Sequence, residues 1–314
     1  MSTISVASGK GGAGKTSIAA AIVSTLGLGC VFADCDVDAA NGAIALGSTL
    51  KDQEAYFAGP GFRIEADACI GCGRCAASCR FGAILRKPET SIYTIMTELC
   101  ERCGACQDNC PTRAIVAYEK RAGTLFVSET RQGIPLVHAE LVPGEDTSGK
   151  LVRKVRDRAE QIAEGNSHIV IDAPPGIACP VIASLSGVEL VVIVVEASAS
   201  GIRDAERLIE LVGSMKRKAV AIINKTGLDD TMDRRARELI DRAAIALAGE
   251  IPFDRALRST EESGGTWLSL DGDVGTRIKA AIRFVLTVID GPSRERMNGG
   301  HPKGEDHEVR NSDR

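Results

Sequence analysis

The sequence predicts an α/β protein: a doubly wound, mostly parallel sheet with a small α+β module inserted into it. Three observations carry this reading. Short runs rich in β-branched residues alternate with helical stretches, as parallel strands joined by crossovers require. The first run is followed at once by a glycine-rich loop and a helical stretch, a strand–loop–helix unit. After the second strand a segment holding eight of the eleven cysteines breaks the alternation.

In chain order, a strand over 3–7 leads into Gly9-Lys10-Gly11-Gly12-Ala13-Gly14-Lys15-Thr16 and a helix over 16–26, and a second strand follows at 30–33. The cysteine-rich module occupies 60–118, and extended character returns over 124–142. A basic amphipathic helix over 149–164, its charges a solvated face, leads into a strand at 168–171 that runs up to Asp172. Strands at 190–195 and 219–223 then alternate with helices at 203–212, 232–248 and 274–288. The larger domain is thus discontinuous, 1–59 and 119–290, with its ligand site expected at the carboxyl ends of the strands. The polar stretch 291–314, rich in Gly, Pro and Asn, reads as a disordered tail.

A chain of 314 residues, 44% hydrophobic, can bury a full α/β core. The module, at about 60 residues, is too small for a large core and is expected to be held together by metals. A net charge of −4 and a pI near 5.7 argue against a nucleic-acid binder. No apolar run reaches 18 residues, so no membrane span is expected. The first residues lack a basic, apolar and small-residue leader pattern, and a cytoplasmic location is expected.

Cys69, Cys72, Cys75 and Cys79 are spaced C-x-x-C-x-x-C-x-x-x-C; Cys100, Cys103, Cys106 and Cys110 repeat that spacing, and Pro111 follows. A disulfide framework would need an oxidising compartment. Structural zinc commonly uses two C-x-x-C pairs separated by a loop, whereas here three cysteines recur at every third position, twice. The spacing points to two iron–sulfur cluster sites. The module resembles a bacterial-type ferredoxin with two [4Fe–4S] clusters. That resemblance implies crossed ligand sets, Cys69, Cys72 and Cys75 with Cys110, and Cys100, Cys103 and Cys106 with Cys79. Arg80 stands where a proline usually follows the first run; a cation there favours the reduced, more negative cluster, so the two potentials need not match.

The glycine-rich loop has its full context of strand before and helix after. Backbone N–H groups from Gly11 to Lys15 are expected to cradle phosphates, Lys15 to reach the β and γ oxygens, and the Thr16 hydroxyl to bind Mg²⁺. With Lys10 ahead of the paired glycines, the loop resembles the deviant Walker A motif of the MinD/ParA superfamily, which also contains the nitrogenase iron protein and the Mrp-type carriers. The resemblance continues through Asp34-Cys35-Asp36 with Asn41, Asp172-Ala173-Pro174-Pro175-Gly176, Asn224-Lys225 and Glu250-Ile251-Pro252, covering nearly all of the chain outside the module.

The resemblance implies ATP and Mg²⁺ as ligands, bound by Gly11, Gly12, Ala13, Gly14, Lys15, Thr16 and Ser17. Asp172 would hold Mg²⁺ through water and Asp36 would orient the attacking water. Asn224 and Pro252 would contact the base, and Lys10 would reach the nucleotide of the opposite subunit. Lys10, Lys15 and Asp36 are therefore the catalytic candidates. Asp34 reads as a ligand of magnesium-bound water, and Asn224 can alternatively end its strand in an Asx turn. A homodimer or a heterodimer with a paralogue is implied.

The combination resembles MinD-superfamily ATPases containing a ferredoxin insert. Cys30 and Cys35 read as core residues. Cys179, followed by Pro180, lies where nitrogenase iron proteins carry a ligand of a bridging cluster, but no second cysteine accompanies it. His138 reads as structural, Trp267 as packing on a C-terminal helix, and Ser148-Gly149-Lys150 as a helix start. Three functions fit: an ATP-gated electron carrier acting on a redox partner, an ATP-dependent carrier for iron–sulfur cluster or metallocofactor assembly, and a redox-sensing regulatory ATPase. Complete four-cysteine sets favour resident clusters over cargo.

Overall fold

The computed structural model describes residues 2–145, 148–163 and 168–291; the stretch read as a tail lies outside them from 292 onward. The elements run β1 (Ser2–Ser8), α1 (Lys15–Leu26), β2 (Cys30–Asp34), α2 (Gly42–Ala45), β3 (Thr49–Ile64), α3 (Arg74–Ser78), β4 (Ile84–Arg86), β5 (Tyr93–Ile95), α4 (Ala105–Asp108), β6 (Ile115–Glu129) and β7 (Pro135–Leu141). They continue with α5 (Ser148–Ile162), β8 (His168–Asp172), α6 (Cys179–Leu185), β9 (Leu190–Glu196), α7 (Ala199–Ser214), β10 (Lys218–Thr226), α8 (Asp230–Arg242), β11 (Ala246–Pro252), α9 (Arg255–Glu262) and α10 (Gly272–Asp290).

Nine strands form one sheet in the order β11-β10-β9-β1-β8-β2-β7-β6-β3. The pairs from β11 to β7 are parallel, and β6 and β3 add antiparallel at one edge. Both faces of the parallel part are covered. Ala7, Ile169, Ile171, Val191, Ile193 and Val195 pack toward one layer with α5 and α7, while Ile4, Val6, Val170, Val192 and Val194 pack toward α1 and α10 on the other. That two-sided burial is why these strands read as unbroken β-branched runs without polar alternation.

Two differences from the sequence reading have clear causes. The helix expected over 232–248 ends at Arg242, and the chain turns through Ala244 at φ 51° into β11. The alanine-rich stretch 243–248 has high helix propensity, but β11 takes its backbone partners from β10 and seats Gly249 against Ala281 of α10. Tertiary pairing overrides propensity here. The second difference is β3, a strand of 16 residues that the sequence reading did not find. It pairs with β6 from Thr49↔Glu129 to Ile64↔Ile115, with register shifts between Leu50 and Asp52 and between Tyr56 and Pro60. Most of its residues are exposed and several are charged, so no period marks it.

This β3/β6 ribbon connects the two parts of the molecule. Its inner half is the edge of the main sheet, since β6 between Gly123 and Glu129 also pairs with β7. Its outer half carries the cysteine-rich segment, with α3, α4 and the β4/β5 hairpin. The domain limits 59/60 and 118/119 fall inside the ribbon. Phe62 and Ile115 from the ribbon, with Ile84, Cys75 and Cys106, form a small apolar cluster of the module's own.

Candidate functional site

The carboxyl ends of β1, β2, β8, β9 and β10 meet at one edge of the sheet, at the point where strand order reverses about β1. Here the loop between β1 and α1 borders a cleft of about 600 Å³. Gly11, Gly12, Gly14, Lys15, Thr16 and Ser17 line it from the loop, Asp36 and Asn41 from the segment after β2, and Asn224, Phe253, Leu257 and Trp267 from the far side. Gly14 adopts φ 90°, and a Cβ there would stand 2.3 Å from Asn224 Nδ2, so the loop can close on β10 only with glycine.

Lys15 is almost fully buried and donates to Asp172 Oδ1 at 2.5 Å, with Asp36 at 3.9 Å. The Thr16 hydroxyl donates to Asp172 Oδ2 at 2.6 Å. The hydroxyl and carboxylate proposed to serve Mg²⁺ therefore meet at one point beside the lysine proposed for the phosphates. Asp34 is wholly buried, and burial, with the nearby Asp172 charge, pushes its carboxyl up to about 7. It accepts the N–H groups of Gly42 (2.7 Å) and Asp36 (3.1 Å), so it fastens the 36–42 segment to the end of β2. In this way Asp34 acts as a backbone anchor. Burial also raises the Asp36 carboxyl.

Lys10 does not line the cleft. Its ammonium donates to Glu196 Oε1 at 2.6 Å and to the Ser200 hydroxyl at 3.2 Å. Glu196 also accepts from Lys225, which in turn donates to the Gly12 carbonyl at 2.8 Å. Burial would raise the Glu196 carboxyl, but its hydrogen bonds with Lys10, Lys225 and Ser198 hold it below the usual carboxylate range. Glu196 and Lys225 thus brace the loop from β9 and β10, a role with no sequence signal.

Both ends of the Asn224 amide are engaged within the protein. Nδ2 donates to the Ala13 carbonyl at 2.8 Å, and Oδ1 accepts the Lys225 N–H at 2.9 Å. The side chain joins β10 to the phosphate loop; its Oδ1 contact is to the next residue and β10 continues to Thr226, so the strand-ending Asx turn considered from sequence is not formed. Asn224→Ala is expected to lower the stability of the nucleotide-free chain by about 1–3 kcal/mol, because the buried Ala13 carbonyl loses its donor. Urea unfolding checks this, and an unchanged midpoint would remove the brace. Pro252 ends β11 and is absent from the cleft lining; its successor Phe253, with Leu257 and Trp267, supplies the apolar wall. Trp267 does pack against α10 and α1, as expected.

The eight cysteines of the two runs gather in two recesses at the end of the ribbon. Cys69, Cys72, Cys75 and Cys110 line one, together with Ile64, Tyr93 and Pro111. Cys79, Cys100, Cys103 and Cys106 line the other, with Phe62, Phe81 and Arg102. The two halves match in detail. Gly73 and Gly104, at φ 75° and 79°, start α3 and α4. The Ala83 N–H donates to Cys79 Sγ at 3.4 Å, and the Ala114 N–H to Cys110 Sγ at 3.2 Å. At Cys110 the Ala114 contact favours a thiolate over a thiol. For Cys110, burial acts in the opposite direction, yet the Thr112 hydroxyl and neighbouring N–H groups hold its thiol below the ordinary value. Burial raises Cys75 and Cys106.

Among the described residues no three metal-binding side chains converge on a single-ion site. Four thiols set around a recess suit a multi-iron cluster, in which each iron takes one thiolate. Of the other cysteines, Cys30 and Cys35 are buried, and Cys179 is exposed at the start of α6, beside Gly149. His138 is buried, with the Ser128 hydroxyl 3.2 Å from Nε2 and Phe126 stacked on its ring.

A phosphate loop between β1 and α1, with acidic residues at the ends of neighbouring parallel strands, defines a nucleotide-binding protein of the P-loop class. The CbiA family model, described as the CobQ/CobB/MinD/ParA nucleotide binding domain, matches residues 4–267. The chain belongs to this family.

An uncharacterized protein of Methanocaldococcus jannaschii is 33% identical over 229 residues, which is 72% of this chain and 79% of that protein. An uncharacterized ferredoxin of the same organism is 34% identical over 55 residues, 17% of this chain and 71% of the ferredoxin. Among solved structures, a chain of the MinC:MinD cell division protein complex of Aquifex aeolicus superimposes with a TM-score of 0.56 at 19% identity, covering 91% of this chain and 96% of that one. MinD complexed with Mg-ADP from Pyrococcus horikoshii gives 0.54 at 15% identity, covering 93% and 99%. These structural likenesses concern the fold. No helix among the described residues is long and apolar enough to cross a membrane.

Proposed function

We propose that this protein is an ATPase whose nucleotide cycle, run by a nucleotide-sandwich dimer, is coupled to electron transfer through two [4Fe–4S] clusters to a partner protein. The observation that supports this most is the β3/β6 ribbon: the edge of the nucleotide-binding sheet is also the stem of the module that carries both cysteine recesses. Bound clusters would supply one-electron transfer at low potential. Cys69, Cys72, Cys75 and Cys110 would hold one, and Cys100, Cys103, Cys106 and Cys79 the other.

The chain's own residues account for the nucleotide half. Loop N–H groups and Lys15 bind the phosphates; Thr16 and Asp172 hold Mg²⁺, Asp172 through water. For this Lys15 and Thr16 exchange their contacts with Asp172 for the incoming ligands, and Asp36, freed of part of its attraction to Lys15, orients the attacking water. Lys10 leaves Glu196 to reach the nucleotide of the second subunit. Phe253, Leu257 and Trp267 offer the base an apolar wall, and Asn224 reaches the base by exchanging one of its internal hydrogen bonds. Full four-cysteine sets favour resident clusters, and so electron transfer over cluster delivery.

The test is the reduction potential of both clusters in anaerobically reconstituted protein, without nucleotide, with ADP and with a non-hydrolysable ATP analogue. A nucleotide-dependent shift is expected. Asp36→Ala with ATP itself should reproduce the analogue-bound potentials and remain a closed dimer. Potentials that ignore nucleotide would overturn the redox reading, and normal hydrolysis by Asp36→Ala would overturn the role given to that carboxylate.

A further inference from the structure

Glu145 sits where the nucleotide site and the second cysteine run come into contact. It closes a short turn after β7, in which the Val142 N–H donates to the Ala122 carbonyl at 2.9 Å and the Glu145 N–H donates to the Val142 carbonyl at 3.1 Å. Its carboxylate is 2% exposed and is held by two cations. One is Lys120 of β6, at 2.7 Å. The other is Arg102, whose Nη2 donates to Oε2.

Arg102 lies inside the second cysteine run, between Cys100 and Cys103, and lines the recess formed by Cys79, Cys100, Cys103 and Cys106. Its φ of 55° is a left-handed backbone that a side chain with a Cβ adopts only under constraint. Gly71, at the matching position of the first run, has φ 66°, so this conformation belongs to the cysteine loop, and the Glu145 ion pair ties the side chain of that loop position to the turn after β7. Among the described residues no other carboxylate pairs with this guanidinium, and Arg102 Nη1 is buried without a partner. The pair is therefore a part-buried anchor whose loss leaves charge uncompensated on the cluster loop.

The other end of the same turn touches the segment whose Asp36 and Asn41 line the nucleotide cleft. The Leu141 N–H donates to the carbonyl of Val37, one residue beyond Asp36, at 3.4 Å. Residues 37–41 and 140–145 form the facing walls of one open cleft. A movement of the 36–41 segment on nucleotide exchange would therefore bear on the turn that ends in Glu145.

We infer that Glu145 is a positioning residue that transmits the state of the 36–41 segment, through Arg102, to the loop holding the second cluster. This rests on the proposed binding of nucleotide and clusters to the same chain. No diffusing messenger is required, because the path consists of backbone hydrogen bonds and one ion pair.

Hydrogen exchange of the full, cluster-loaded chain tests the link apart from any redox activity. In the wild type, amides of residues 100–104 are expected to exchange several-fold differently with ADP and with a non-hydrolysable ATP analogue. In Glu145→Gln that difference should vanish, while nucleotide still protects the phosphate-loop amides and iron content is unchanged. The difference between nucleotide states in the second cluster's potential should vanish as well, with the first cluster less affected. Glu145→Asp, which keeps the charge, should restore part of both.

Arg102→Lys provides a second route, since it keeps a cation on the loop but loses the guanidinium fork, and it should weaken the difference. Identical exchange at 100–104 in the wild type under both nucleotides overturns the link outright, as does a Glu145→Gln protein that keeps the full difference. If exchange responds to nucleotide through Glu145 while both potentials stay constant, the link stands and the electron-transfer reading falls.

Discussion

Lys15→Met is expected to abolish tight nucleotide binding and, in the same protein, to destabilise the nucleotide-free fold. Lys15 is the cation facing Asp172 at 2.5 Å and Asp36 at 3.9 Å, and it also attracts the buried Asp34. Methionine fills a similar volume, so packing is largely kept while the charge is lost. Removing one member of a buried pair costs about 3–5 kcal/mol. The lower end is expected, because Asp34 already has its carboxyl pushed up to about 7 and takes up a proton when the lysine is gone. Binding of ATP with Mg²⁺ should weaken by more than about 100-fold, since a charge-assisted contact to the phosphates disappears. Calorimetric titration and urea unfolding measure the two effects separately. A variant that unfolds at the wild-type midpoint would show that the Lys15–Asp172 pair contributes nothing net before nucleotide arrives.

Cys110→Ser should remove the cluster of the first run and spare that of its own. Cys110 lines the recess of Cys69, Cys72 and Cys75, whereas Cys79 lines that of Cys100, Cys103 and Cys106. Iron content is expected to fall from about eight to about four per chain in Cys110→Ser and likewise in Cys79→Ser. The double variant Cys69→Ser/Cys110→Ser should lose no more than Cys110→Ser alone, while Cys69→Ser/Cys79→Ser should lose nearly all iron. Iron analysis with low-temperature spectra of the reduced protein distinguishes these cases. Loss of both clusters in Cys69→Ser/Cys110→Ser, or retention of one in Cys69→Ser/Cys79→Ser, would show that each run serves its own cluster.

Much of the fold was legible because its signals are local. A strand buried on both faces must be apolar at consecutive positions, and β1, β8, β9 and β10 were found for that reason to within a few residues. The loop Gly9 to Thr16 carries its own strand and helix beside it. The failures share a different cause. At 243–248 the residues favour a helix, and only the neighbouring β10 makes them a strand. At 49–64 most of the strand is solvent-exposed and its register shifts three times, so its pairing with β6 leaves no pattern in the residues themselves.

Within the candidate site the division is similar. Motif spacing singled out Lys15, Thr16 and the eight cysteines, and the family resemblance added Asp36 and Asp172. It assigned Pro252 to the base, but β11 ends there and the cleft wall is made by Phe253, Leu257 and Trp267. Ordinary glutamates were invisible. Glu196 and Glu145 gain their roles only from the cations the fold brings to them, across 186 residues for Lys10 and 43 for Arg102.

The sequence by itself determined the local chemistry of this protein: a phosphate loop, a pair of acidic strand ends and two repeated cysteine spacings, each set by covalent separations of a few residues. The tertiary structure alone decided how these parts face one another. Strand pairing sets Asp172 against Lys15, and the ribbon folds the two cysteine runs so that each contributes to the other's recess. The turn after β7 lies between the 36–41 segment and Arg102. Such relations depend on long-range burial and hydrogen bonding, which no stretch of sequence encodes separately.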